Sequence, residues 1–377
     1  MRPKLAARRD CEFDEHGGER VKAVVLRSPG VLEYMEVPAP KLTRAESVLI
    51  EVKACGICGS DLRYWKGENP WALHTLGHHV DNPPNIIMGH EYAGVVAQVN
   101  SSSYEYLLGR RVGVQPYRVC GECEFCRSGR HNLCKATIHI GHGQGWGEAE
   151  FYPGAYAEYC LAWADLLYPI PEEISFDEAA MADVFGVAVH AVGRSRVPKG
   201  AAVLCIGGGP VGLSVAQVAK ARGAGKVFVA ETSPYARRIL AQFDFTVIDP
   251  GKPIREVLAA QPGRPEVAAI YDSVGSDETI AEALPLLGAS GTYVNLALRA
   301  APLPVDAALL GSERTITTSS NAFYDDVREA YELIFSKQVQ AGPMISHRFP
   351  LTGYKQAFEL LLSSPKQAYK VIFAPRS

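Results

Sequence analysis

Apolar residues recur along this chain in two rhythms, and the change between them falls near Ser175. Before it, apolar runs are short and broken by glycine and proline. Residues 21–26 (VKAVVL) open the series. Residues 47–54 (SVLIEVKA) alternate apolar and polar positions, the period-two pattern of a half-buried strand. This texture predicts an antiparallel, barrel-like first domain with long loops. Residues 176–194 are alanine-rich and suit a helix. From Ala201, apolar strands alternate with helices: AAVLCIGGG, a helix to Ala221, KVFVAE, a helix through Leu240, then TVID. VAAIYD and GTYVNLAL read as two further strands. Such alternation predicts a parallel, doubly wound sheet, so the fold class is α/β. Beyond Thr318, YDDVREAYELIF and YKQAFELLL read as helices and YKVIFAP as a last strand. The domains expected are 1–184, 185–320 and a return to the first domain over 321–377. Residues 1–20 are polar and turn-rich and read as a loosely held extension.

Composition narrows the function classes. A chain of 377 residues is long enough for two cores, and a net charge of −3 gives no footing for nucleic acid or an anionic membrane. No run is long and apolar enough to cross a bilayer. Residues 1–9 are basic but lack the apolar stretch of a secretory signal. The nine cysteines are therefore expected reduced, in a cytoplasmic protein, with zinc the better use for those that cluster.

Cys120, Cys123, Cys126 and Cys134 stand in CGECEFCRSGRHNLC. Four thiolates on one short loop suit a closed tetrahedral zinc site, structural because no position is left for substrate. Downstream, IGGGPVGL places Gly207, Gly209 and Gly212 in a G-x-G-x-x-G between an apolar strand and a helix, with Pro210 and Val211 inside it. The first glycine makes the tight turn, the second admits the pyrophosphate, and the third lets helix and strand pack closely. The helix N-terminus then faces the phosphates. Glu231 ends the next strand, where a carboxylate binds the adenosine ribose hydroxyls and repels a 2′-phosphate; this favours NAD. Arg237 and Arg238 follow, and Arg238 is the candidate to turn toward that ribose. Upstream, Cys58 in CGICGSD and His90 in MGHE offer a thiolate and an imidazole, proper ligands for a catalytic zinc that keeps an open position.

Taken in order, VKACGICGSD, GHE, the four-cysteine lobe and GGGPVG resemble the zinc-dependent medium-chain alcohol and polyol dehydrogenases, nearest their sorbitol and threonine dehydrogenase branch. The resemblance covers the chain from about Val21 onward. It implies a GroES-like catalytic domain beside a Rossmann domain, one catalytic and one structural zinc, NAD, a small alcohol or ketone substrate, and a homodimer or homotetramer. Residue by residue, it implies Cys58 and His90 as firm ligands of the catalytic zinc. Glu91 is then a ligand or a support for its neighbour. The third-ligand position falls on Asp183 in ADVFG, where relatives have Glu-Pro or Asp-Pro; this chain lacks the proline. Ser60 corresponds to the hydroxyl that passes on the alcohol proton, and Asp61 to an acidic support. Arg63 departs from the family's histidine and is a poor proton relay. Cys55 reads as a buried, inert thiol.

Two segments, 66–86 and 136–153, are longer than in polyol relatives and hold His74, His78, His79, His139 and His142, with Trp71, Trp146 and Glu148. Loops of this kind suit a polyhydroxylated substrate or, equally, a solvated surface. The first expectation is NAD-dependent oxidation of a polyol, cyclitol or sugar. A threonine-type amino-alcohol dehydrogenase, with Glu148 or Glu150 facing the ammonium, is the second. A nucleotide-binding protein without catalysis is the third.

Overall fold

The computed structural model describes residues 19–249, 251–298 and 305–376, and the backbone of Glu12–Phe13; the rest of the expected extension lies outside the described residues. The chain divides into two units. The first comprises residues 1–183, 345–364 and 370–377; the second comprises 184–344 and 365–369.

Among the described residues, the first unit is built on two main sheets, with Tyr117–Arg118 and Ile138–His139 forming a small two-stranded third. In the larger, Ser47–Gly56 is central: it pairs antiparallel with Glu91–Val99, Tyr159–Trp163 and Lys370–Phe373. Glu51 and Lys53 are its half-buried positions, while Val48, Leu49, Ile50 and Val52 are fully buried. The predicted alternation thus marks which face is solvated. Arg111–Val114, Leu167–Pro169 and Ile345–Phe349 complete this sheet, the last in a parallel pair with Lys370–Phe373. The smaller sheet joins Glu19–Ser28 to Val31–Pro38, Glu12–Phe13 and Ile86–Ile87. The run 31–38 alternates too weakly to be read from sequence, because most of its side chains face solvent.

The second unit holds a six-stranded, all-parallel sheet. Its order is Thr246–Ile248, Val227–Ala230, Ala202–Ile206, Val267–Asp272, Leu287–Asn295, Thr315–Thr318. In chain order this is 3-2-1-4-5-6, the dinucleotide-binding arrangement whose strand order reverses beside the first strand. Leu204, Ile206, Phe228, Ile270 and Tyr293 are among the residues of its core.

Two expectations need correction. The region 176–194 is two helices, Phe176–Ala180 and Ala182–Gly193, the first closed by a capping box between Ser175 and Glu178. The return to the first unit falls at Ile345, not at 321. Helix Tyr324–Phe335 belongs to the second unit, held by His190–Asp326 at 2.9 Å and a two-bond Arg222–Glu329 pair. The strand in GTYVNLAL and the last strand are both interior to their sheets. Leu287–Asn295 is flanked by Val267–Asp272 and Thr315–Thr318, and Lys370–Phe373 by Ser47–Gly56 and Ile345–Phe349, so their ladder groups are already taken within the chain. Among the described residues, no helix is long and apolar enough to cross a membrane.

Candidate metal and dinucleotide sites

Cys58 caps helix Gly59–Trp65 at its N-terminus, just after the central strand ends. Its backbone N–H donates to Asp61 Oδ2 at 2.9 Å, so the capping carboxylate also fixes the turn that carries the thiol. Tyr156 donates its hydroxyl to the same oxygen at 2.6 Å. Asp61 Oδ1 lies 3.6 Å from His90 Nδ1. Burial alone would raise Asp61 and lower His90; their attraction reverses both, holding Asp61 below the ordinary carboxylate range and His90 well above the imidazole range. The other ring nitrogen, Nε2, lies 3.9 Å from Asp183 Oδ2. Burial pushes Asp183 up to about 6, with His90 pulling in the opposite direction.

Cys58, His90 and Glu91 each bring a ligand atom within 4.8 Å of the others. Thiolate, imidazole and carboxylate converging from a helix start and a strand start are a donor set that fits zinc, and Asp183, in the first turn of Ala182–Gly193, stands beside His90. Glu91 is already engaged. Its carboxylate forms an ion pair with Lys370 Nζ, the two side chains being 1% and 3% exposed. It lies so close to Gly56 that a β-carbon there would stand 2.1 Å from Glu91 Oε2. Ser60 sits two residues beyond the cap, its hydroxyl oxygen buried and without a hydrogen-bond partner. Arg63 donates to Glu68 at 2.6 Å. Cys55 is fully buried and its thiol is pushed well up, by burial first and then by Asp61 and Glu91.

Lys370 and Tyr156 were missed from sequence. The signal for Lys370 was present: a lone lysine heads an apolar strand, and such a charge is buried only with a partner. Tyr156 had no signal, since its role depends on where Asp61 lies.

The loop histidines divide into two groups. His78 and His79 are exposed, and His79 lies 3.3 Å from Asp81. His139 and His142 are buried against His90: the His142 ring centroid is 4.5 Å from that of His90, 4.0 Å from that of His139 and 4.6 Å from that of Tyr64. Burial holds His139 down at about 3 and His142 well below the ordinary range, so both are neutral. Trp146 stacks on Trp163 and donates to the His139 carbonyl at 2.8 Å. Glu148 and Glu150 are exposed.

Cys120, Cys123, Cys126 and Cys134 bring their sulfurs within 4.8 Å of one another, and none is in a disulfide. Backbone N–H groups around Glu122 and Cys123 lower Cys120 to about 7, whereas burial and the neighbouring thiol of Cys123 push Cys126 up to about 12. Four sulfurs this close ionise together only around a cation, and the set fits a closed zinc site.

In the second unit, a cavity of about 850 Å³ is lined by Gly207, Gly209, Pro210, Val211, Gly212 and Glu231, among others. The glycines act as the motif requires. Gly207 has φ +84°, a β-carbon on Gly209 would meet nothing within 4 Å, and one on Gly212 would stand 1.8 Å from the Gly207 carbonyl oxygen. Glu231 accepts from Gly208 N at 2.7 Å and Ser233 N at 2.6 Å, which fixes its carboxylate at the cavity wall. Arg238 is not in the lining; its guanidinium lies over the Tyr235 ring at 5.2 Å. Arg237 donates to the Glu231 and Thr232 carbonyls and reaches Asp249 at 2.9 Å; all three residues line the cavity, so its guanidinium is held at the cavity wall. Gly212→Val is expected to cost about 1–3 kcal/mol or more through overpacking and to abolish dinucleotide binding. Calorimetric titration with NAD checks this, and wild-type affinity would refute the packing role.

Residues 44–172 match the family described as alcohol dehydrogenase GroES-like domain, and residues 210–336 match that described as zinc-binding dehydrogenase. The chain is 30% identical to L-threonine 3-dehydrogenase of Bacillus subtilis, over 90% of this chain and 94% of that protein. It is 29% identical to a probable D-xylulose reductase A of Aspergillus clavatus, over 89% and 92%. An alcohol dehydrogenase structure from Thermotoga maritima superposes with a TM-score of 0.82 at 25% identity, covering 95% of this chain and all of that one.

Proposed function

The chain belongs to the zinc-binding alcohol dehydrogenase family, enzymes that act on CH–OH groups, and from that premise we propose that it oxidises a secondary alcohol of a polyol, cyclitol or sugar with NAD. The observation that carries this reading is the convergence of Cys58, His90 and Glu91 within 4.8 Å of one another, with Asp183 Oδ2 3.9 Å from His90 Nε2 and the unpartnered Ser60 hydroxyl two residues along the chain from Cys58. Cys58, His90 and Asp183 hold the catalytic zinc. Glu91 supports the site through Lys370, and the four-cysteine loop holds the structural zinc.

When bound, zinc polarises the substrate oxygen and the nicotinamide of NAD accepts the hydride. The chain's own residues do the rest. Ser60 Oγ orients the alcohol hydroxyl and passes its proton on: as Oγ takes the alcohol's proton it would release its own to water or to a ribose hydroxyl of the bound NAD. Asp61, fixed by Cys58 N–H and Tyr156, holds His90 with its proton on Nδ1, so that Nε2 is the ligating atom. Glu231 selects NAD by repelling a 2′-phosphate. One observation favours a polyhydroxylated alcohol over an amino alcohol: the carboxylates expected to greet an ammonium, Glu148 and Glu150, are exposed. All eight described cysteines are free, which supports a cytoplasmic setting. We also propose a homodimer or homotetramer; Thr315–Thr318, with one edge unpaired, offers it a surface.

The test is turnover of a panel of polyols, cyclitols, sugars, threonine and simple secondary alcohols, with each cofactor and with or without a chelator. Chelator-sensitive reduction of NAD by a polyol or cyclitol is expected. Turnover confined to threonine, or faster with NADP, would overturn the substrate or the cofactor assignment respectively.

A further inference from the structure

His142 is held against His90 by the backbone. It lies between Gly141 and Gly143, both in the left-handed region at φ +83° and +72°. A β-carbon on Gly141 would stand 2.6 Å from the Gly89 carbonyl oxygen, so only glycine lets this loop lie on the chain just before His90. The loop is pinned on both sides: Gly141 N–H donates to Pro153 O at 2.7 Å, and Ile140 N–H to Pro116 O at 2.8 Å. His142 is 6% exposed, and both its ring nitrogens are buried without a hydrogen-bond partner. So are His90 Nδ1 and Asp61 Oδ1. One atom each of Asp61, His90 and His142 lie within 4.8 Å of one another.

Unpaired buried polar atoms are costly, and three side chains that carry them and come within 4.8 Å of one another call for a shared partner. A molecule at the centre of a triangle with sides up to 4.8 Å is no more than about 2.8 Å from each corner, a hydrogen-bond length. A water fits that geometry and finds the two to four partners it needs. A second metal there would need a deprotonated Nδ1, while Nε2 already serves the first. The direct His90–Asp61 separation of 3.6 Å is long for a hydrogen bond, so the proton on Nδ1 needs this intermediary.

We propose that His142 is a positioning residue for His90: through one buried water shared with Asp61, it fixes the tautomer and orientation of the metal-binding imidazole. The inference rests on the reading of His90 as a zinc ligand. Neutral His142 gives the water one donor or one acceptor, and its ring stack on Tyr64 and His139 keeps that nitrogen in place. Partners of this kind set metal affinity about 10–100-fold.

Two variants separate polarity from packing. His142→Phe keeps the ring between Tyr64 and His139 but removes both nitrogens; His142→Gln keeps donor and acceptor but loses the ring. Zinc affinity of the full chain, measured by chelator competition that releases the catalytic ion, should fall about 10–100-fold in His142→Phe. In His142→Gln it should stay within a few-fold of wild type. Retention of the structural zinc and the thermal midpoint of each variant report folding. Wild-type affinity in His142→Phe, or a greater loss in His142→Gln than in His142→Phe, overturns the proposal. His90→Ala run in parallel keeps the two readings apart. If it loses one zinc while His142→Phe loses none, only the role of His142 falls. If it loses none, the ligand assignment and the inference fall together.

Discussion

Ser60→Ala is expected to lower kcat by about 10²–10⁴-fold, the usual worth of a positioned proton acceptor. Because the hydroxyl touches the reacting oxygen, kcat and kcat/KM should fall together. Zinc content should stay at two ions per chain, since Ser60 is not in the ligand set. Ser60→Thr, which keeps the hydroxyl, should recover most of the activity. The expectation has a structural ground. Ser60 Oγ is buried and makes no hydrogen bond, an expensive arrangement unless a substrate group completes it. Arg63 cannot take over, because it remains protonated and is engaged with Glu68. Steady-state kinetics with the preferred alcohol decide the matter, and a kcat within a few-fold of wild type would remove Ser60 from the chemistry.

Lys370→Met is expected to destabilise the first unit by about 3–5 kcal/mol, because it leaves Glu91 charged and alone in the core. Lys370 is otherwise an unusual residue: its side chain is 3% exposed at the start of a buried strand. Burial would lower its ammonium, yet Glu91 and then Cys58 hold it above the ordinary lysine range. The pair in combination, Glu91→Gln with Lys370→Met, should recover much of the loss, since no buried charge then lacks its counterpart. Denaturant unfolding of the four proteins in the cycle measures this coupling. Additive losses would mean that the two residues act separately and that Glu91 takes its counter-charge from elsewhere.

Much of the fold was legible in the chain. The two rhythms of apolar residues separated the antiparallel unit from the parallel one, and the second-unit strands fall where VLCI, VFVA, TVI and VAAIYD placed them. These elements are buried on both sides or on one strict face, so their pattern is strong. Residues 31–38 failed because a solvated strand carries no such pattern. The return point at Ile345 failed for a different reason: an amphipathic helix such as Tyr324–Phe335 shows that it has a buried face, not which unit covers it.

The same division runs through the site. Spacing within short motifs pointed to the four-cysteine loop and the glycine turn, because each depends on local backbone geometry, while Cys58 and His90 were picked out by resemblance to the family's motifs. What only the tertiary structure decided is which distant groups meet. Lys370 reaches Glu91 and Tyr156 reaches Asp61 across many residues of chain. His139 and His142 come inward while His78 and His79 stay outside, although all four looked alike in sequence. A histidine's chemistry is set by what removes water from it and what charge stands beside it. Both are properties of packing between segments far apart in the chain, and no local pattern records them.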